Sequence, residues 1–198
     1  MFAYIKGILE EKSINYVIVE NCGIGYKIFM SAKAIGILPD IHNEVKVYTY
    51  YHVREDNISL YGFNTKEELR MFELLISVSG IGTKSAIAML SEITPSEFAL
   101  AVISDDVSKL VNIPGIGKKT AARIILELKD KIKSESIQEN EDNEKEVVNE
   151  TNKNEAISAL QVLGYSKKEI EQALKTMDTK NMSIEEIIKQ GLKYLAKN

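Results

Sequence analysis

Two stretches of this chain have the residue types and spacing to hold a phosphate. The first reads Val78-Ser79-Gly80-Ile81-Gly82-Thr83-Lys84-Ser85-Ala86, the second Ile113-Pro114-Gly115-Ile116-Gly117-Lys118-Lys119-Thr120-Ala121. Each is an apolar residue, a Gly-Ile-Gly turn, a lysine and a helix start in small residues. Glycine lets a backbone come close to a ligand and take positive φ. The free N–H groups at the next helix start point outward with the positive end of the helix dipole. Lysine adds a full charge. No part of this set reads a base edge, so the pattern predicts binding to a nucleic-acid backbone with little sequence preference.

A single copy also reads as a glycine-capped turn between packed helices. Two copies with matching lysines and matching apolar anchors favour the phosphate reading. A third Gly-Ile-Gly, Gly23-Ile24-Gly25, serves as an internal control. Its flanks, Tyr16-Val17-Ile18-Val19 and Tyr26-Lys27-Ile28-Phe29, are β-branched or aromatic, and no helix start comes after it. It is expected to be a β-turn or bulge with no phosphate role.

The elements that must position these turns change character along the chain. Phe2–Leu9, Ile14–Glu20, Tyr26–Met30, Val45–Tyr51 and Ile58–Tyr61 read as strands, with a short helix over Ser31–Leu38. Five strands and one small helix suit a Greek-key barrel of OB type over residues 1–63, although a plain β-sandwich would read similarly. From Asn64 the period becomes helical. Thr65-Lys66-Glu67-Glu68 is a capping box, followed by a Leu69, Phe72, Ile76 stripe. Thr94-Pro95-Ser96-Glu97 starts a second helix with proline at its favoured first position. Ser104 is placed to cap a third, before Val107, Leu110 and Val111. The last helix of the region 64–133 runs to about Ile132 and is expected to bury Ala121, Ile124, Ile125 and Leu128.

Residues 134–154 hold seven acids and two lysines and few apolar groups. They read as a flexible acidic linker or, alternatively, as a solvated helix end. Beyond them, residues 155–198 read as a three-helix mini-domain. Its first helix, Glu155–Leu163, stops at Gly164; Ser166-Lys167-Lys168-Glu169 and Ser183-Ile184-Glu185-Glu186 cap the other two. Its core candidates are Ala159, Leu160, Leu163, Ile170, Ala173, Leu174, Ile187, Ile188 and Leu192. A small tethered module of this kind suggests docking to another protein.

Net charge bears on the nucleic-acid reading. The 198 residues carry −4, but the acidic stretch alone carries −5, so the rest of the chain is at +1. No basic blanket exists, and backbone contact must come from placed lysines and amides. At 44% hydrophobic the chain can build real cores, and no apolar run approaches a membrane span. The start, Met1-Phe2-Ala3-Tyr4-Ile5-Lys6-Gly7, lacks the pattern of a signal peptide. One cysteine, Cys22, excludes an internal disulfide and fits a reduced cytoplasmic setting. Two histidines and one cysteine offer no convincing metal site.

Enzyme readings fare poorly. A base-flipping glycosylase or lyase needs an aromatic pocket beside a catalytic acid or lysine. Glu127 and Asp130 are the acids of the long helix; there is no tryptophan, and region 64–133 has only Phe72 and Phe98 as aromatics. A nuclease needs clustered carboxylates for metal ions, and Asp105-Asp106 reads better as a helix first turn. No phosphate-binding ATPase loop is present. A single-strand binder stacking bases on Tyr16, Tyr26, Tyr48 and Tyr50 stays open, although at strand positions such residues are more often core or sheet surface.

The order barrel, tandem helix-hairpin-helix, acidic linker and three-helix mini-domain resembles the RuvA family, the DNA-binding subunits of the Holliday junction branch-migration complex. The sharpest matches are Val53-Arg54-Glu55-Asp56, Leu60-Tyr61-Gly62-Phe63, the second hairpin, and Ala159-Leu160-Gln161-Val162-Leu163-Gly164-Tyr165. The first hairpin is looser, with Thr83 where the family often has proline. The resemblance implies a non-catalytic homotetramer, with an octamer as the alternative, that uses no cofactor and no metal. It would hold a four-way junction open and planar in recombination, repair and the SOS response to DNA damage. Its partners would be the hexameric RuvB ATPase and, further, the RuvC resolvase. Backbone contacts would fall on Gly80, Gly82, Thr83, Lys84, Gly115, Gly117, Lys118, Lys119, Thr120 and Arg123. RuvB docking would fall on Leu160, Leu163, Gly164 and Tyr165. Glu55 and Asp56 would form an acidic pin at the junction centre, repelling phosphates, whereas by composition alone Arg54-Glu55-Asp56-Asn57 is ordinary turn chemistry.

Overall fold

The computed structural model describes residues 2–55, 57–138, 148–177, 179 and 182–195; for residues 132–138 and 148–151 it describes the backbone alone. Asp56 and the middle of the expected linker lie outside the described residues. The chain forms two compact units. One takes the chain up to Glu73 together with Gly82–Glu92; the other takes Leu74–Ile81 and the chain from Ile93 onward.

The first unit is built on five strands: β1 (Tyr4–Lys12), β2 (Tyr16–Asn21), β3 (Ile24–Phe29), β4 (Glu44–Val53) and β5 (Ile58–Phe63). They close into a barrel in the order β1-β2-β3-β5-β4. All pairings are antiparallel except β3 with β5, where Phe29 faces Tyr61. Alternation sends Ile5, Leu9, Val17, Val19, Ile28, Val45 and Val47 into one core. Helix α1 (Ala32–Ile37) bridges β3 and β4; the Ser31 hydroxyl accepts the Ala34 N–H at 3.1 Å at its start. This is the barrel expected from the strand pattern, with β1 longer than its periodicity suggests.

The control turn behaves as a β-turn. Cys22 and Gly23 have φ of 53° and 83°, and Asn21 pairs with Ile24. Two successive positive φ values are the signature of a type I′ hairpin.

Helix α2 (Lys66–Ile76) starts with a variant of the expected capping box. The Thr65 hydroxyl accepts the Glu68 N–H at 3.2 Å, but the Glu68 carboxylate reaches past Thr65 to the Asn64 N–H at 2.8 Å. Of the expected apolar stripe, Phe72 is fully buried. Leu69 and Ile76 are only partly covered, whereas Met71, Leu74, Leu75 and Val78 are buried at i, i+3, i+4 and i+7. Phe72 inserts among Tyr50, Tyr61 and Phe63, with centroids 4.9–5.4 Å away. Helix α3 (Thr83–Glu92) belongs to the same unit, and the Tyr61 hydroxyl donates to the Thr83 hydroxyl at 2.9 Å.

The second unit contains α4 (Pro95–Ile103), α5 (Val107–Val111), α6 (Lys118–Gln138), α7 (Val148–Val162), α8 (Lys167–Lys175) and α9 (Ile184–Leu195). Thr94 and Glu97 form the expected capping box at α4. Ser104 does not cap α5; it ends α4, and Asp106 caps α5 by accepting the Lys109 N–H at 3.1 Å. The chain needs the left-handed Asp105, φ 54°, to turn between the two helices, which moves the cap two residues on. Of the expected α5 stripe, only Leu110 is fully buried. Helix α6 buries Ala121, Ile124, Ile125 and Leu128 as expected, and its backbone continues to Gln138. With α7 beginning at Val148, helix enters the 134–154 stretch from both ends.

The three C-terminal helices share the core expected of them. Leu160, Ile170, Ala173 and Ile187 are fully buried, with Ala159, Leu163, Leu174, Ile188 and Leu192 nearly so. Gly164, φ 105°, ends α7 in a Schellman motif: the Tyr165 N–H reaches the Leu160 carbonyl and the Gly164 N–H the Gln161 carbonyl. Helix α7 packs on α6 and α9 on α4, and the hydroxyls of Ser96 and Tyr165 are hydrogen-bonded.

Candidate nucleic-acid interface

The two phosphate-type turns have the same local construction. In the second, the Ile113 N–H reaches the Leu110 carbonyl at 3.2 Å and the Ile116 N–H the Ile113 carbonyl at 3.1 Å. In the first, Val78 reaches Leu75 and Ile81 reaches Val78, both at 3.1 Å. Gly115 and Gly80 have φ of 85° and 89°, a region where an L side chain is strained. Val78, Ile81, Ile113 and Ile116 point inward and are buried. The apolar residues therefore anchor each turn while its glycines stay on the surface.

The helix start behind each turn carries the chemistry. The first N–H to find a carbonyl is Ala86 to Gly82 in α3, at 3.0 Å, and Ala121 to Gly117 in α6, at 2.9 Å. The N–H groups of Thr83, Lys84 and Ser85, and of Lys118, Lys119 and Thr120, precede those bonds. The capping position in both helices is glycine, which has no side chain to satisfy them. The contrast with other helices is sharp. Ser31, Thr65, Thr94, Asp106, Ser166 and Ser183 each accept a first-turn N–H with a side-chain oxygen. Among the described residues, α3 and α6 start on uncapped glycines with donors open to an incoming anion.

The cations fit the same use. Lys84, Lys118 and Lys119 are exposed and, among the described residues, make no ion pair. Thr83 and Thr120 are half-buried at the first turns of their helices. Arg123 is exposed, with its Nε 3.6 Å from Glu127 and its Nη1 3.4 Å from the Ser79 carbonyl. A Cβ on Gly80 would come to 4.0 Å from that Nη1, so Arg123 stands beside the first turn. Gly82, Thr83 and Lys84 fall in the other compact unit.

Sequence reading missed a row of contacts along α6. Arg123, Glu127 and Lys131 lie at i, i+4 and i+8, one face of a helix. Glu127 accepts the Ser79 N–H at 3.2 Å, and Lys131 donates to the Ser77 hydroxyl at 2.6 Å. The spacing of the three is visible in the sequence; their partners, about fifty positions away, are not.

Other expected residues find different surroundings. Glu55 is exposed in the β4–β5 loop, which the Arg54 N–H closes onto the Asn57 carbonyl at 2.9 Å. Asp56 lies outside the described residues. Leu160, Leu163 and Tyr165 are buried in the C-terminal bundle and Gly164 forms the helix stop. The tyrosines considered for base stacking are half-buried and engaged. Lys27 sits 4.0 Å over the Tyr16 ring and Lys46 5.0 Å from the Tyr48 ring, while Tyr50 packs on Phe72 and Tyr26 on Phe2.

Two carboxylates at the starts of α4 and α5 hold below their usual range. Asp106 does so through the Ser108 hydroxyl and then the Lys109 N–H, and Glu97 through the Thr94 N–H, the Thr94 hydroxyl and then Lys109. Both serve helix starts. Among the described residues no group of acids, histidines and cysteine is arranged for a metal, and no single helix is long and apolar enough to cross a membrane.

Comparison with known proteins gives the same order of parts. Residues 1–62 match the family model of the RuvA N terminal domain, residues 72–130 the SAM-like helix-hairpin-helix tandem, and residues 151–196 the RuvA C-terminal domain. Among similar curated proteins is the Holliday junction branch migration complex subunit RuvA of Acetivibrio thermocellus, 55% identical over the whole of both chains. The proteins of that name from Ruminiclostridium cellulolyticum and Clostridium tetani are 49% and 46% identical; each alignment covers 98% of this chain and 100% or 99% of the relative. With such likeness along its whole length, and with the barrel and paired hairpins in place, the chain belongs to the RuvA family.

Proposed function

We propose that this protein binds four-way DNA junctions by their backbones and holds them open and planar for branch migration. One observation carries the reading: among the described residues, α3 and α6 begin on uncapped glycines with open donors and a lysine in the first turn, while side-chain oxygens cap α1, α2, α4, α5, α8 and α9. Gly80, Gly82, Thr83, Lys84, Gly115, Gly117, Lys118, Lys119, Thr120 and Arg123 supply the contacts. Phosphates accept from the turn and first-helix N–H groups, and the cations neutralise them. The names of the relatives support the junction as the target.

In this reading the protein is a non-catalytic homotetramer, with an octamer as the alternative, working in the cytoplasm. ATP hydrolysis belongs to the RuvB hexamer, which engages the module of residues 155–198 across the 134–154 linker. RuvC is a further partner. Glu55 and Asp56 stand at the crossover, where strands converge and negative side chains repel phosphates. That repulsion guides strands apart and adds nothing to affinity.

The test is the salt dependence of junction affinity. Each phosphate neutralised releases counterions, so the log of affinity falls with the log of salt in proportion to the contacts. Lys118→Ala and Lys119→Ala are each expected to lower that slope by about one, to a similar degree for all arm sequences. An unchanged slope, or a loss confined to particular sequences, would contradict backbone gripping.

A further inference from the structure

We infer that Glu127 is a positioning residue for DNA binding: its carboxylate fixes both Arg123 and the Ser79–Gly80 turn, so that α6 and the first turn meet a backbone already arranged. The inference rests on the backbone-gripping reading and adds a residue whose own charge repels a phosphate.

The geometry is a closed triangle within the second unit. One oxygen of Glu127 accepts the Ser79 N–H at 3.2 Å; the other faces Arg123 Nε at 3.6 Å. Arg123 Nη1 closes the figure on the Ser79 carbonyl at 3.4 Å. Both backbone polar groups of Ser79 are thereby held by one turn of α6. Gly80 comes next, in its left-handed conformation. The guanidinium has five N–H donors and uses two of its nitrogens here, so donors remain for a phosphate. One turn further along, Lys131 holds Ser77. Ordering these groups in the free protein removes an entropy cost that binding would otherwise carry.

Electrostatics alone gives the opposite sign. A carboxylate near a phosphate is repulsive, so its removal should tighten binding if charge were all that mattered. Shape and charge are separable at this position. Glu127→Gln keeps an acceptor for the Ser79 N–H and removes the charge, leaving Arg123 its bond to the Ser79 carbonyl. Glu127→Asp keeps the charge and withdraws the carboxylate by one methylene. Glu127→Ala removes both.

The experiment measures four-way junction affinity against salt for the full chain, with thermal melting alongside. Glu127→Ala and Glu127→Asp are each expected to weaken binding about tenfold and to flatten the salt slope by about one, the contribution of Arg123. Glu127→Gln is expected to stay within about threefold of the parent with the slope kept. Combining Glu127→Ala with Arg123→Ala is expected to cost little beyond Arg123→Ala alone, since the two act as a unit. Glu127→Ala binding at least as tightly as the parent with its slope intact overturns the inference. So does Glu127→Asp matching the parent while Glu127→Gln fails, or full additivity with Arg123→Ala. The Asp and Gln variants decide the matter if the Ala variant melts early. Lys118→Ala is the control. If it leaves the slope unchanged, the backbone reading itself has failed; if it flattens the slope while the Glu127 variants do not, only the role of Glu127 falls.

Discussion

The same tripeptide, Gly-Ile-Gly, occurs in the barrel at 23–25 and in the second hairpin at 115–117, with opposite uses. Both first glycines adopt positive φ, 83° and 85°, and a Cβ at either would meet nothing within 4 Å. The difference lies in the element each turn leads into. After Gly23 the chain enters β3, and its backbone groups pair with β2. After Gly117 it enters α6, whose first N–H groups have no carbonyl to reach and no cap to meet them. A glycine turn is therefore not a phosphate site in itself; the helix start behind it makes one.

Substitution at the two glycines is the strongest way to break this comparison. Gly115→Ala and Gly23→Ala each force an L residue into the left-handed region, at about 1–2 kcal/mol of stability. Melting temperatures should fall alike. Junction affinity should fall more than tenfold for Gly115→Ala and stay at the parent level for Gly23→Ala. Equal losses in binding would mean that stability, not the interface, governs both.

A smaller effect is expected at the barrel's own acidic loop. Neutralising Glu55 and Asp56 together, to Gln and Asn, should leave junction affinity equal or modestly tighter, because a close charge pair is worth only about 1 kcal/mol in water. The ratio of junction to duplex affinity should drop. Clear weakening of junction binding in a folded variant would make these residues contacts or turn formers only.

The smallest effect concerns helix starts that are capped, the counterpart of those left open. Glu97 and Asp106 have carboxyls held below their usual range by cap hydrogen bonds. A lowered folded value adds stability above the unfolded range near about 4 and loses it as pH falls through the folded value. Melting temperature should therefore decline on the acid side. Thr94→Ala, which removes the capping hydroxyl at a cost of about 1 kcal/mol, should make that decline shallower. Junction binding at neutral pH should not change.

How legible each feature is in the sequence depends on how local it is. The Thr94, Ser166 and Ser183 caps and the Gly164 stop depend on neighbours within a few residues and are where the pattern places them, while the five strands follow in the expected order with ends shifted by up to three residues. In α2 only Phe72 of the expected stripe is fully buried, and the aromatic cluster that takes it comes from β4 and β5, out of reach of a local pattern. Asp106 is hidden as a cap because it depends on the left-handed Asp105, which composition does not reveal. Leu163 and Tyr165 carry a family pattern, but an apolar residue in a small bundle is claimed first by its core. Glu127 reads in the sequence only as a candidate catalytic acid; its partner Ser79 is 48 positions away and only folding brings them together.

Structure-specific gripping of backbones at a junction is tested by a competition gel shift without nucleotide. Four-way junction is set against linear duplex carrying the same arm sequences, at one salt concentration, with the full-length protein. A large excess of duplex is expected to leave the junction complex in place, and a change of arm sequences to change nothing. Equal competition by duplex would contradict structure-specific gripping and leave a general duplex binder.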